Sequence, residues 1–168
     1  MLAMGVPVIP VPFRSIQHVY FDDLDALNIL HNVRFLLFIE RARGELLNAM
    51  GFHWQDDIGQ NPDKFHVVAE HRIRYLAPVR GEGDIAVDLW ITRIGTTSAV
   101  LTARVGSVDG SVVFAESDTR IVRLDGATFR PAPWSDKLRG IMAPLLRPER
   151  AFEGAKAAGS PAEGAKAG

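Results

Sequence analysis

The sequence predicts an α+β fold in which an antiparallel sheet of five strands wraps around one long central helix. One segment has the apolar spacing of a helix, and the segments after it alternate apolar and polar residues as strands do. The chain has 168 residues, of which 47% are apolar and 23% charged, a composition typical of one globular domain. We therefore expect a single core between the helix and the sheet.

The chain starts with an apolar segment, 1–15, that we expect to be an extended lead-in. Pro7, Pro10 and Pro12 interrupt this segment before it could form the helical core of a signal peptide. The first strand is expected over 16–22. No later stretch reaches the roughly 18 uncharged apolar residues of a membrane span. A cytoplasmic location, with no membrane partner, is the default expectation.

The segment 32–50 has the pattern of a long buried helix. Its apolar residues recur three or four positions apart. These are Phe35, Phe38, Ile39, Ala42, Leu46 and Ala49. Asn32 is expected to cap the start of the helix, and Gly51 lies where a glycine would end it. Because further leucines widen the apolar face, we expect other elements to surround this helix.

Four later segments are expected to form strands of an antiparallel sheet. Alternation is clearest in 84–92, and the other segments have similar lengths and many β-branched residues. The four segments are 65–77, 84–92, 97–107 and 111–124. Between the last two, Asp109-Gly110 is a strong hairpin signal. These strands, the first strand and the helix complete the predicted core.

The end of the chain is expected to contain a short helix and then a disordered tail. Ser135 is a suitable cap for a helix over 135–146. From 147 to 168 the sequence is dominated by Ala and Gly, and the pentapeptide EGAKA occurs twice. Such a segment buries too little apolar surface to offset the entropy cost of ordering it. The folded domain is thus expected over 16–146.

A sheet that covers one helix leaves edge strands exposed. Long edges are usually covered or paired, and the same edge of a second copy can extend the sheet across a two-fold axis. We therefore expect a homo-oligomer, either a dimer or a tetramer.

Charge and cysteine content exclude several functions. The net charge of −1 provides no broad basic surface for nucleic acid. The absence of cysteine excludes disulfides, cysteine-ligated metals and a thiol nucleophile. We expect a small-molecule partner and neither a metal nor an organic cofactor.

The segment 18–43 contains the residues that point to chemistry. Its polar residues lie between the first strand and the start of the helix: Asp22, Asp23, Asp25, Asn28, His31 and Asn32. Its motifs, in order, are Asp23-Leu24-Asp25, Ile29-Leu30, His31-Asn32, Phe35 and Glu40-Arg41-Ala42-Arg43. This pattern resembles the signature of hotdog-fold acyl-CoA thioesterases of the 4-hydroxybenzoyl-CoA thioesterase family. The likeness spans 16–146 and includes the later motif Tyr75-Leu76-Ala77-Pro78.

The resemblance implies a hotdog fold, thioester hydrolysis and a catalytic role for Asp25, as a general base or as a nucleophile. The chemistry also needs donors for the oxyanion that forms on the thioester carbonyl. Backbone amides near His31, Asn32 and Val33, at the positive end of the helix, are candidates. The side chains of His31 and Asn32 are candidate catalytic groups, although both residue types are also common at helix starts. Asp25 could alternatively serve only as a cap.

Further residues are candidates for substrate binding. Asn28 stands where the family usually has glycine, and Asn is the residue that best tolerates the left-handed backbone glycine would adopt. Arg74 and Arg80 could meet the phosphates of coenzyme A, but Arg72 and Arg74 could equally form a solvated sheet face. We expect Asp22 and Asp23 to be structural.

Three functions remain open from the sequence. The first is hydrolysis of an acyl-CoA or acyl-carrier-protein thioester. The second is hydration or dehydration of an enoyl thioester on the same fold. The hydratase pattern, however, places Asp and His five residues apart with Asn-Pro nearby, whereas Asp25 and His31 are six apart. The third is an acyl-CoA-binding module without turnover.

Overall fold

A computed structural model of the chain describes residues 8–53, 55 and 57–148. Its sheet has five strands: β1 (Phe13–Val19), β2 (His66–Tyr75), β3 (Gly83–Ile94), β4 (Ser98–Ser107) and β5 (Val113–Arg123). Its helices are α1 (Asn32–Ala49) and α2 (Asp136–Met142). The strand order is β1-β3-β4-β5-β2, and every neighbouring pair is antiparallel. The α+β class and the five-stranded antiparallel sheet are confirmed.

Helix α1 and one face of the sheet form the core. The helix buries Phe38, Ile39 and Leu46. Alternate residues of the central strands, such as Val87 on β3 and Val105 on β4, belong to the same cluster of buried side chains. Each large apolar side chain buried in this way contributes about 1.5–3 kcal/mol relative to an exposed one. In the described part of the chain, no helix is long and apolar enough to cross a membrane.

The first strand starts earlier than expected. It runs from Phe13 to Val19, and not over 16–22. Its inward positions include Ser15 and Gln17, which are 2% and 8% exposed. The Gln17 side-chain amide donates to Ser15 Oγ at 2.6 Å and to Glu45 of α1 at 2.9 Å. Because these inward residues are polar, hydrophobic periodicity could not reveal the first half of the strand.

Helix α1 begins one position earlier than expected, at the residue that was expected to cap it. The cap position is His31, whose side chain makes no capping hydrogen bond, and Asn32 is the first helical residue. The expected end is confirmed, because Gly51 follows the helix with φ of +78°. A glycine tolerates this left-handed conformation without the strain that a side chain would add.

The expected hairpin and closing helix are both present. Gly110 has φ of +77° in the turn between β4 and β5. Ser135 caps α2 by accepting a hydrogen bond from Leu138 N at 3.1 Å. The helix ends at Met142, and a short 3₁₀ turn, Ala143–Leu145, completes the segment expected over 135–146. The expected tail lies outside the described residues, except for 147–148. Residues 1–7 of the expected lead-in also lie outside them.

The face of the sheet that points away from α1 carries one row of alternating charges. The row crosses all five strands through directly paired residues. In spatial order it consists of Arg14, Asp88, Arg104, Glu116 and Arg74. Arg14 contacts Asp88 with two hydrogen bonds of 2.7 and 2.9 Å, and Glu116 accepts from Arg74 at 2.9 Å and from Arg104 at 3.4 Å. We call this set the cross-strand charge row.

Strand β2 forms one edge of the sheet and is unusually exposed. Seven of its ten residues are exposed, including the apolar residues Val67, Val68 and Tyr75. Its backbone pairs with β5 on one side, and the pairing is irregular between Val68 and Glu70. Its other side has no strand partner among the described residues.

Candidate active site

A cavity of about 450 Å³ lies between the loop that precedes α1, the first turn of α1 and the segment that follows β2. Its walls include one carboxylate, two polar residues at the helix start and several apolar side chains. Those used in the argument are Asp25, His31, Asn32, Phe35, Tyr75 and Leu76. The cavity therefore combines the predicted acid with an apolar wall.

The loop that carries Asp25 is closed by its own hydrogen bonds. Asp25 Oδ1 accepts from the backbone N–H groups of Leu27 at 2.8 Å and Ile29 at 3.1 Å. Asn28 has φ of +58°, the left-handed conformation expected at this position. Its carbonyl accepts from Gly81 N at 3.0 Å. The Asn28 side chain is not among the groups that line the cavity, so its contribution is the shape of the loop.

The two oxygens of Asp25 have different surroundings. Oδ1 binds the loop amides, which is the cap-like role considered from the sequence. Oδ2 has no hydrogen-bond donor in the part of the chain that the structure describes. Asp25 is exposed and lines the cavity. One carboxylate can thus hold the loop with one oxygen and present the other to a substrate or a water molecule.

The first turn of α1 offers two of the three expected backbone donors. His31 N donates to Asp23 O at 2.9 Å and is therefore occupied, contrary to its expected availability. Arg34 N donates to His31 O at 2.8 Å. The amides of Asn32 and Val33 have no backbone acceptor among the described residues, as is usual in the first turn of a helix. The Val33 side chain is 59% exposed and does not line the cavity.

Tyr75 is a wall residue to which the sequence assigned no role. Its hydroxyl donates to Asn32 O at 3.1 Å, and its ring meets the Phe35 ring edge to face at 5.3 Å. It thereby connects the end of β2 to the first turn of α1. The motif that begins with Tyr75 contributed to the family resemblance, but nothing in one sequence indicates that β2 ends beside this helix turn.

The two candidate arginines lie in different places. Arg80 is exposed and forms a backbone bridge with Ile29 in the Asp25 loop, so it borders the cavity region. Arg74 pairs with Glu116 in the cross-strand charge row, on the opposite face of the sheet from α1. The structure therefore brings Arg80 close to the Asp25 loop and does not bring Arg74 there. Arg72 lies on the same outer face and pairs with Glu70 at 3.4 Å.

A glutamate on α1 forms an ion pair within the helix. Glu40 pairs with Arg43, one turn later on α1, and these side chains are 35% and 12% exposed. His71 Nε2 lies 3.7 Å from the same carboxylate. Among the described residues, no group of three or more His, Asp or Glu side chains is arranged as a metal site.

Comparisons with known proteins agree with this architecture. A family model described as "Thioesterase superfamily" matches residues 27–114, just over half of the chain. The acyl-CoA thioester hydrolase YbgC of Escherichia coli O6:H1 is 28% identical over 119 residues, which cover 71% of this chain and 87% of that protein.

Solved structures share the fold. Slr0204, a 1,4-dihydroxy-2-naphthoyl-CoA thioesterase from Synechocystis, superposes with a TM-score of 0.71 at 19% identity, over 79% of this chain and 96% of that one. A thioesterase from Thermus thermophilus, crystallised with coenzyme A and Zn, superposes with a TM-score of 0.67 at 26% identity, over 80% and 95% of the two chains. These likenesses confirm the expected hotdog fold.

Proposed function

Since this chain belongs to the thioesterase superfamily and is a thioester hydrolase, we propose that it cleaves acyl-CoA thioesters with Asp25 as the general base or nucleophile. The observation that supports this assignment is the position of Asp25. Its carboxylate lines the same cavity as the first turn of α1, where the amides of Asn32 and Val33 have no backbone acceptor within the described part of the chain.

The proposed reaction begins with attack on the thioester carbonyl carbon. Either a water molecule attacks while Asp25 takes its proton, or the Asp25 carboxylate attacks directly. Negative charge then develops on the carbonyl oxygen, and the N–H groups of Asn32 and Val33 stabilise it. When the C–S bond breaks, the sulfur takes up the proton held by Asp25 in the water route, or a proton from solvent in the direct route, and leaves as free coenzyme A. In the direct route, water finally hydrolyses the mixed anhydride to the free acid and Asp25.

The remaining site residues have supporting roles in this proposal. The side chains of His31 and Asn32 lie at the cavity wall, where they can orient water or contact the substrate. Phe35, Tyr75 and Leu76 give the acyl group an apolar surface. Arg80, exposed beside the Asp25 loop, is available to the phosphates of coenzyme A. Relatives named for acyl-CoA and a neighbour solved with coenzyme A support this carrier over an acyl-carrier protein.

We further propose that the exposed edge of β2 pairs with the same edge of a second copy. A strand of ten residues that has no strand partner on one side, among the residues that the structure describes, is a long exposed edge. The exposed side chains of Val67, Val68 and Tyr75 would be covered by such pairing. Because Tyr75 also lines the cavity, the second copy would border the active site. Sedimentation equilibrium should give twice the chain mass or a multiple of it, and a monomer at micromolar concentration would refute this pairing.

The test of the chemistry is thiol release by the Asp25→Asn variant. The substitution preserves the shape of the side chain but removes the basic carboxylate. Turnover of a panel of aliphatic and aromatic acyl-CoAs should fall by at least about 10²-fold, the usual effect of losing a general base. Asp22→Asn is the matched control, because Asp22 is an exposed neighbour whose side chain has no partner among the described residues. Activity of Asp25→Asn within a few-fold of the parent would refute the role of Asp25.

Two further measurements separate the alternative functions. Crotonyl-CoA is monitored both for loss of enoyl absorbance and for release of free thiol. Loss of absorbance without thiol would indicate a hydratase. Tight binding of acyl-CoA by the parent protein without thiol release from any member of the panel would indicate a binding module.

A further inference from the structure

Asp23 connects the end of β1 to the start of α1 beside the proposed site, although it does not line the cavity. It is 5% exposed, and its backbone and side chain attach it to three other residues, Tyr20, Arg34 and His31. Its carboxylate accepts from Tyr20 N at 3.0 Å, at the end of β1. Its other carboxylate oxygen lies 3.3 Å from Nε of Arg34 in α1. Its carbonyl accepts from His31 N at 2.9 Å.

The third attachment closes the loop that carries Asp25. The hydrogen bond between Asp23 and His31 joins the two ends of this nine-residue loop. Asp25 lies two residues after one end, and the amides of Asn32 and Val33 follow the other end directly. The separation between the acid and the amide donors therefore depends on the contacts that hold Asp23 and His31 together, in addition to the hydrogen bonds inside the loop, such as that from Asp25 N to Ile29 O at 2.8 Å.

Arg34 lies where electrostatics alone would not place a cation. It is in the first turn of α1, close to the positive end of the helix dipole, where an acid is normally favoured. Its guanidinium reaches back over the turn before the loop, since Nη2 donates to Asp22 O at 3.3 Å while Nε faces the Asp23 carboxylate. The Arg34 side chain therefore connects the start of α1 to the segment that follows β1.

We propose that Asp23, paired with Arg34, is a positioning residue that holds the Asp25 loop and the first-turn amides in reacting geometry. In this proposal Asp23, the first acid of the Asp-x-Asp motif, positions the loop, and Asp25, the second acid, reacts with the substrate or with water. This inference rests on the proposed role of Asp25. A displacement of about 1 Å between reacting groups can cost about 10²-fold in rate. Loss of the Asp23–Arg34 pair should therefore lower kcat.

The experiment compares Asp23→Asn, Arg34→Gln, the double variant and the Asp22→Asn control. For each protein, kcat and KM for the best acyl-CoA are measured at 25 °C, with Tm and the pH profile of kcat. We expect Asp23→Asn and Arg34→Gln each to lower kcat by about 10- to 100-fold while KM stays within about threefold. The double variant should be no worse than about threefold below the poorer single variant, because both changes break one interaction. Asp22→Asn should stay within about twofold of the parent.

Several results would overturn the inference. A structural contact with no positioning role would lower Tm and leave kcat within about twofold of the parent. Independent effects of the two variants would multiply in the double variant. Loss of the acid limb of the pH profile in Asp23→Asn would identify Asp23 itself as the base, whereas a positioning role leaves the midpoint of that limb unchanged.

The design separates this inference from the proposed function. If Asp25→Asn keeps its activity, the proposed role of Asp25 fails whatever Asp23 does. If Asp25→Asn is inactive and Asp23→Asn has normal kcat, only the positioning role fails. Should Asp23→Asn not fold, Arg34→Gln decides the question alone, since the Arg34 side chain is 36% exposed and its loss is better tolerated. A kcat of Arg34→Gln within about twofold of the parent then refutes the role.

Discussion

The left-handed backbone of Asn28 leads to a quantitative prediction about the loop that holds Asp25. With φ of +58°, this position strains any residue that has a Cβ atom, and asparagine is the side chain that tolerates it best. The Asn28 side chain makes no hydrogen bond to the described residues. Replacement by alanine therefore tests backbone conformation and not the loss of a side-chain contact.

The expected free energies follow from this conformation. The left-handed region costs an ordinary L residue about 1–2 kcal/mol, and asparagine avoids part of that cost. Asn28→Ala should therefore lower the free energy of unfolding by about 1 kcal/mol and Tm by about 2–4 °C. Asn28→Gly removes the strain, but it also raises the conformational entropy of the unfolded chain, which lowers the free energy of unfolding by about 0.4–1 kcal/mol. Its stability should stay within about 0.5 kcal/mol of the parent.

Urea unfolding followed by circular dichroism measures both variants, and thiol release measures the effect on the loop. The backbone of Asn28 donates to Asp25 O and accepts from Gly81 N, both at 3.0 Å. Strain at Asn28 is therefore relieved by moving the loop that carries the acid. We expect kcat of the alanine variant to fall below that of the glycine variant. An alanine variant as stable as the parent, or a glycine variant that loses more than about 1 kcal/mol, would refute this reasoning.

Three other predictions concern the core, the outer face of the sheet and pH. Phe38→Ala should lower the free energy of unfolding by about 3–5 kcal/mol in urea titrations, since the ring is fully buried; a loss under about 1 kcal/mol would contradict the packing. Glu116→Gln should cost about 2 kcal/mol by the same assay, because the fully buried side chain loses its negative charge and turns an NH2 donor toward one of its two arginine donors; unchanged stability would contradict this. Burial lowers the pKa of His66 below its ordinary value of 6.5, so protonation favours the unfolded chain. Its contribution to stability is present above pH 6.5 and is lost as pH falls through the folded-state pKa. His66→Gln should therefore show a shallower loss of stability between about pH 7 and 5 than the parent, and identical slopes would refute this assignment.

Much of the fold can be predicted because its apolar periodicity is strong. The pattern locates helix α1 and the four later strands to within about three residues at each end. The pattern does not reveal where β1 starts because two successive inward positions, Ser15 and Gln17, are polar, and the Gln17 side chain bonds Glu45, 28 residues along the chain. No local pattern distinguishes a buried polar residue from a solvated one.

The candidate site can be predicted in part for a similar reason. Asp25 and the helix start are close in sequence, so a local motif can place them together. Alternation puts Arg72 and Arg74 on one face of β2, but an exposed edge strand gives no sign of which face points away from the helix. The face on which Arg74 lies is shown by its hydrogen bond to Glu116, which is 42 residues away in the sequence. Tyr75 is not recognisable as a wall residue because its contact with Asn32 spans 43 residues.

The cross-strand charge row affects how a charged molecule approaches the protein. Neighbouring strands lie roughly 4.8 Å apart, so positive and negative groups in the row succeed each other at that spacing. The row contains three arginines and two carboxylates, so the fields of its paired charges largely cancel and one positive charge remains. A diffusing polyanion is thus attracted to the row only about as strongly as to a single cation, although five charged side chains lie there.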